Sequence, residues 1–335
     1  MTAVLALVTL AGCSGAGGRS PSASAVVRLG FFPNLTHAPA LVGIEQGLFQ
    51  RVLGSTSLAT STFNAGPEAT EALLSGAIDA TFMGPNPTIN AFARSGGAIQ
   101  IIAGTTSGGA RLVVRPGIES ANDLIGTTLA TPQLGGTQDV ALRWWLKEHG
   151  IRTTFTGGGE VSIQPQENAQ ILESFRNGRL DGAWVPEPWA TRLVSEGDGN
   201  VLVDESDLWP GGRFVTTQLV VSTAFADDHP DIVEQLVQGL TESIDAMAAD
   251  PVAARSSVAD GIERVTSKRL PDQLIESAWS RLTFTVDPIA TSLQSTAEHA
   301  RALDLPTTTD LHGIYRLGPL NRVLQARGRP EVLAP

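Results

Sequence analysis

Residues 71–87 read EALLSGAIDATFMGPNP, and residues 173–188 read ESFRNGRLDGAWVPEP. Glu71, Gly76 and Asp79 recur as Glu173, Gly178 and Asp181 at an offset of 102, while Pro85 and Pro87 recur as Pro186 and Pro188 at an offset of 101. Each copy describes the same piece of chain. An amphipathic helix ends at a glycine that tolerates positive φ, a short run of small and apolar residues follows as a strand, and a Pro-x-Pro stops the ladder before the next helix. Two copies predict two similar α/β lobes, each presenting loops at the carboxyl ends of its strands, where open α/β sheets bind ligands.

Working outward, apolar strand-like runs at 26–31, 57–63, 80–83 and 98–104 alternate with helical stretches at 37–47, 67–75 and 86–95. This alternation predicts βαβ units in mostly parallel sheets. Each copy follows a strand and a proline-led helix start, at Pro67 and at Pro165. Further strands are expected at 128–131, 201–203 and 218–222, with helices at 140–149, 231–248, 251–259, 267–282 and 288–303; the tail from 224 onward reads as purely helical.

The chain has 335 residues, of which 42% are hydrophobic and 17% charged, enough apolar content to exclude disorder. Its net charge of −11 argues against nucleic acid as a partner. Cys13 is the single cysteine, which excludes internal disulfides and CxxC metal or redox sites. It follows an apolar run, in Leu10-Ala11-Gly12-Cys13, and precedes a Gly/Ser/Pro stretch. This string resembles a bacterial lipobox. It implies that residues 1–25 are a signal peptide and flexible tether, with Cys13 lipidated and the domain held outside the cytoplasm on the cell membrane.

Four loops stand at strand-to-helix junctions: 32–37, 64–67, 83–87 and 133–138. Helix N-termini carry free N–H groups and a partial positive charge, so they hold anions without lysine or arginine. Gly135-Gly136-Thr137 is the sharpest case, since glycine permits close backbone approach and Thr137 adds a hydroxyl. Trp184 and Trp189 flank Pro186-Glu187-Pro188 and are candidates for an aromatic pocket wall, with core packing as the alternative. No GxxxxGK[ST], HExxH or G-x-S-x-G pattern occurs, and neither lysine is near a glycine turn. No metal, cofactor or catalytic set is therefore expected. Asp79 and Asp181 read as turn residues.

The strings AGPEATEALLSGAIDA (65–80), GFFPNLTHAPA (30–40), LGGTQDVAL (134–142) and WVPEPW (184–189) resemble the substrate-binding proteins of ABC importers in the nitrate/sulfonate/taurine and thiamine-pyrimidine class. The resemblance implies a two-lobed type II periplasmic-binding fold, with lobe I at 26–109 plus 216–335, lobe II at 110–215, and crossovers near 108–115 and 213–218. It implies a monomer that closes on a small molecule and docks on a permease served by an ATPase. By position, the ligand would meet Phe32, Asn34, Thr36 and His37; Asn64, Ala65 and Gly66; Gly84, Pro85 and Asn86; Gly135, Gly136, Thr137 and Gln138; and Trp184 and Glu187. An aliphatic sulfonate or taurine is favoured, because amide-rich helix ends suit a tetrahedral monoanion. Glu187 points instead to an amine or heterocycle. Nitrate, bicarbonate, a thiamine pyrimidine precursor and riboflavin are the alternatives. The fold also hosts a pyrimidine synthase with a cysteine-rich motif and desulfinases with a catalytic cysteine, neither of which Cys13 can supply.

Overall fold

The computed structural model describes residues 26–334, so Cys13 and the signal-peptide segment lie outside the described residues. The strands are β1 Val26–Phe31, β2 Ser57–Thr62, β3 Ala80–Met83, β4 Ile99–Gly108, β5 Ala110–Val114, β6 Thr128–Thr131, β7 Ser162–Pro165, β8 Gly182–Pro186, β9 Asn200–Asp204, β10 Val215–Ser222 and β11 Leu282–Phe284. Among the described residues they form two mixed sheets, ordered β2-β1-β3-β10-β4-β11 and β7-β6-β8-β5-β9.

The two orders are the same path drawn twice. β1 pairs in parallel with β2 and β3, and β6 in parallel with β7 and β8. β3 then pairs antiparallel with β10, and β8 antiparallel with β5. The repeated aspartates explain the match. The Asp79 carboxylate accepts the Arg28 backbone N–H of β1 (2.7 Å) while the Asp79 N–H donates to Arg28 O (2.9 Å). Asp181 makes the same pair with Thr128 of β6, at 2.8 Å in both directions. Each aspartate thus pins the strand that follows its helix to the lobe's central strand. The glycines that end these helices, Gly76 and Gly178, have φ of +73° and +76°, a region that carries little steric cost only for glycine.

The chain passes between the sheets twice. The first passage is Gly108-Gly109, both at positive φ (+83° and +74°), and a Cβ on Gly109 would lie 2.2 Å from Leu282. The second runs from β9 to β10 through short 3₁₀ turns at Glu205–Leu208 and Pro210–Gly212. Large apolar clusters cover both faces of each sheet, which suits the near-continuous burial of β3, β5 and β8.

The structure departs from the sequence expectations in three places. The tail is not purely helical: Leu282–Phe284 adds an edge strand antiparallel to β4. Pro165 ends β7, and the next helix begins later, at Asn168–Arg176. The helix expected at 140–149 starts at Thr137, directly after Gly136 in extended conformation (φ −73°, ψ 173°). Among the described residues, no helix is long and apolar enough to cross a membrane.

Candidate functional site

A cleft lies between the carboxyl ends of the two parallel strand sets. Its inner chamber has a volume of about 40 Å³ and is walled by equivalent loops of both repeats. Phe32, Asn34, Thr36 and His37 follow β1; Asn64, Ala65 and Gly66 follow β2; Gly84 and Pro87 follow β3. Opposite them, Pro132, Gln133, Gly136, Thr137 and Gln138 follow β6, Asn168 follows β7, and Pro186 ends β8. Thr216 and Thr217 of β10 form the floor.

Local chemistry holds these loops in place. The Asp139 carboxylate, fully buried, accepts from Thr131 Oγ1 (2.9 Å), Gly135 N (3.0 Å) and Arg143 Nε (2.9 Å). This ties the glycine turn to β6 and balances the buried charge. The Gly136 N–H donates to Gln133 O at 3.1 Å, so the outer turn is closed and the amides of Thr137 and Gln138 stand at the free helix end. Across the cleft, Thr36 Oγ1 donates to Asn34 Oδ1 (2.6 Å) and Thr106 Oγ1 donates to Thr36 O (2.7 Å).

Among the described residues, no lysine, arginine, aspartate or glutamate stands on the wall of the inner chamber. His37 is buried, and desolvation pushes its pKa down to about 3. The ring is therefore neutral, with Nδ1 accepting the Phe32 N–H at 3.2 Å, which leaves Nε2–H as a donor. Gln133 Oε1 and Asn168 Oδ1 are buried without a partner among the described residues. The chamber thus presents neutral donors and acceptors, with fixed helix dipoles in place of side-chain charge.

The cleft opens on one side into a wider outer chamber of about 310 Å³, which shares Phe32, Asn34, Asn64 and Asn168 with the inner one. Pro33, Leu172, Pro188, Trp189 and Leu270 give it apolar walls, and Arg192 stacks on Trp189 at 4.8 Å. Asn64 Nδ2 donates to Glu167 Oε1 at 3.1 Å, linking the loops that follow β2 and β7.

Not every sequence-derived candidate lies in the cleft. Trp184 sits on a strand buried on both faces, fully enclosed, and its Nε1–H donates to Glu205 Oε2 at 2.7 Å. Glu187 is fully buried, ion-paired with Arg111 and bonded by the Thr191 N–H at 3.0 Å, so its carboxylate is already satisfied inside the protein. Gly135, Pro85 and Asn86 line neighbouring cavities, and Pro85 and Pro87 have no N–H to give. Conversely, Gln133, Asn168, Thr216 and Thr217 line the inner chamber and were not among the candidates, whereas Trp189, read from the sequence as a pocket wall, lines the outer one. Asn168 carried a signal: it is Gly66 displaced by the repeat offset of 102. No group of three or more His, Cys, Asp or Glu side chains that could hold a metal occurs among the described residues.

The profile of the NMT1-like family matches residues 20–262, most of the chain and both sets of cleft loops. The chain belongs to the NMT1-like family. The taurine-binding periplasmic protein of Escherichia coli (strain K12) is 28% identical over 214 residues, a match spanning 64% of this chain and 64% of that protein. The chain therefore aligns with somewhat under two thirds of that relative's length. Among solved structures, the alkanesulfonate-binding protein SsuA from Xanthomonas axonopodis pv. citri, bound to MOPS, superposes with a TM-score of 0.72 at 19% identity, over 86% of this chain and 96% of that one. The periplasmic nitrate-binding protein NrtA from Synechocystis PCC 6803 gives 0.74 at 16%, covering 90% and 89%. The family member described here thus has the type II periplasmic-binding fold of these proteins.

Proposed function

We propose that this chain is the extracytoplasmic solute-binding component of an ABC importer, capturing a small organic anion with a sulfonate-like head and handing it unchanged to a permease. Residues 26–109 with 216–335, and 110–215, act as the two closing lobes, and Cys13 carries the lipid anchor. The single observation that carries this is the two-chamber cleft. A compact inner space lined by amide N–H groups and neutral polar side chains suits a tetrahedral monoanion. The outer chamber beside it, whose walls mix Phe32, Leu172, Trp189 and Leu270 with the charged Glu167, Glu173, Arg192 and Lys268, suits an organic tail along its apolar strip. Relatives named for taurine and alkanesulfonate binding support the same choice. With Glu187 consumed by Arg111, the feature that favoured an amine or heterocycle falls away. Nitrate or bicarbonate would leave the outer chamber unused. Among the described residues the inner wall also offers no cysteine, lysine or carboxylate to act as a nucleophile or base, which supports capture rather than conversion.

Calorimetric titration with a series from methanesulfonate to hexanesulfonate tests this. Burial of methylenes contributes about 0.8 kcal/mol each, so affinity should rise roughly fourfold per added carbon until the outer chamber is filled. Tighter binding of nitrate than of any sulfonate, or no heat with any sulfonate, would overturn it.

The pH profile is a second expectation. Because His37 titrates at about 3, the inner chamber gains no charge between pH 5 and 8. Sulfonate affinity should stay within twofold across that range. A steady gain toward acid would mean that His37 binds as a cation.

A further inference from the structure

Glu205 is a buried carboxyl group that the cleft does not use. It is 3% exposed and has no lysine or arginine partner among the described residues. Its Oε2 accepts the Trp184 indole N–H at 2.7 Å, and Trp209 lines the same cavity wall as Glu205. That cavity has a volume of about 230 Å³, and its walls are largely aromatic. Trp144 and Trp145 come from the helix Thr137–Glu148, Trp209 from the second passage between the sheets, and His299 from the helix Ala290–Ala302. Trp144 and His299 stack at 4.3 Å and 8°, and Trp209 lies 5.6 Å from the same imidazole. Among the described residues the lining holds two carboxyl groups, Glu205 within and Glu148 at the helix end, and no lysine or arginine. Lys147, bonded to Ala302 O, sets its ammonium 5.9 Å over the Trp144 ring, which leaves Trp145 and Trp209 as the indoles open to a second cation.

Indole faces attract cations through their quadrupole, most strongly where water is excluded. A buried carboxylate without a counter-charge is costly, and it is stabilised by a cation brought to it. We infer that this cavity is a second ligand site, distinct from the cleft, that takes a small organic ammonium ion against Glu205 and the tryptophan faces. The site bridges the repeats, because His299 belongs to the C-terminal helical region while the tryptophans belong to the second sheet's elements. It also shares the helix Thr137–Glu148, whose opposite end faces the cleft.

Burial raises the Glu205 pKa to about 7, the indole donors oppose this, and neighbouring Asp204 adds to it. Glu148 and His149 face the cavity from one helix and His299 from the other; burial holds His299 below the usual imidazole range. A cation needs Glu205 ionised, so affinity should rise as pH climbs through about 7.

The test uses choline and its neutral isostere, 3,3-dimethylbutan-1-ol, titrated into the full chain by calorimetry. Indole N–H resonances of Trp184 and Trp209 report the location. Choline should bind at least tenfold more tightly than the alcohol at pH 8, weaken about tenfold at pH 6, and shift both indole signals. Glu205→Gln, nearly isosteric and able to accept from an indole, should remove both the preference and the pH step. Equal affinity for the two probes, unchanged choline affinity in Glu205→Gln, or no saturable choline binding would each overturn the assignment. Indole shifts in wild-type protein decide the case even if the variant folds poorly.

Discussion

Gly84→Val is expected to weaken sulfonate binding at least a hundredfold, close to 3 kcal/mol, while the chain remains folded by circular dichroism. Gly84 caps the helix Pro85–Ser95 with ordinary extended angles (φ −78°, ψ 169°), so the backbone accepts any residue. Space is what valine lacks. A Cβ there would sit 2.3 Å from Thr137 Oγ1 and 3.4 Å from both Thr137 Cβ and Thr216 O. Thr137 belongs to the opposite repeat, so the side chain acts as a wedge across the inner chamber. Alanine is a graded control. Its single methyl meets mainly the threonine hydroxyl, which can rotate away, so Gly84→Ala should cost threefold or less. Valine adds two methyl branches to a Cβ that already lies 3.4 Å from Thr137 Cβ and the Thr216 carbonyl, neither of which can rotate away. Thr137→Ala added to Gly84→Val should recover part of the loss, because residues in contact do not act additively. An unchanged Kd in Gly84→Val would show that the ligand does not need this approach of the two loops.

The wedge site was legible in part from the sequence, and the reason is the repeat. The Gly-x-x-Asp spacing and the Pro-x-Pro stops place loops at matching strand ends, and the sheets follow the same strand order in both halves. Loop positions are local information, set by glycine, proline and capping chemistry. What a strand residue faces is not local. Trp184 reads as a pocket wall from its neighbours, but β8 is buried throughout, and alternation does not say which buried face meets the core. Glu187 depended on Arg111, 76 residues away on the antiparallel neighbour. Leu282–Phe284 escapes the sequence reading, in which Leu282 ends a helix over 267–282 in a helical tail, because three residues carry no period, and only pairing with β4 makes it a strand. Asn168 was hidden by placing the helix start at Pro165, although the offset pointed to it.

Arg111→Met is expected to destabilise the protein by about 3–5 kcal/mol near pH 8, the usual cost of leaving one member of a buried ion pair alone. Arg111 is 6% exposed and Glu187 fully buried. The arginine bonds Glu187 and, at 2.9 Å, Thr191 Oγ1, while the Thr191 N–H donates to the same carboxylate at 3.0 Å. The pair joins β5, just past the glycine passage, to the helix Trp189–Gly197 that forms part of the outer chamber. Burial already holds the Glu187 pKa above the usual carboxylate range even though Arg111 draws it down. Removing the arginine removes the opposing influence, so the folded-state pKa rises further above the unfolded value. A group of that kind favours the folded state when protonated, and its contribution is lost as pH rises through the folded pKa. The deficit of Arg111→Met should therefore shrink toward pH 5, read as a recovering urea midpoint. Glu187→Gln added to Arg111→Met should restore most of the stability at pH 8, because no uncompensated charge remains. If the single variant loses as much at pH 5 as at pH 8, the loss is one of packing rather than charge, and the ion pair is not what fixes the strand to the helix.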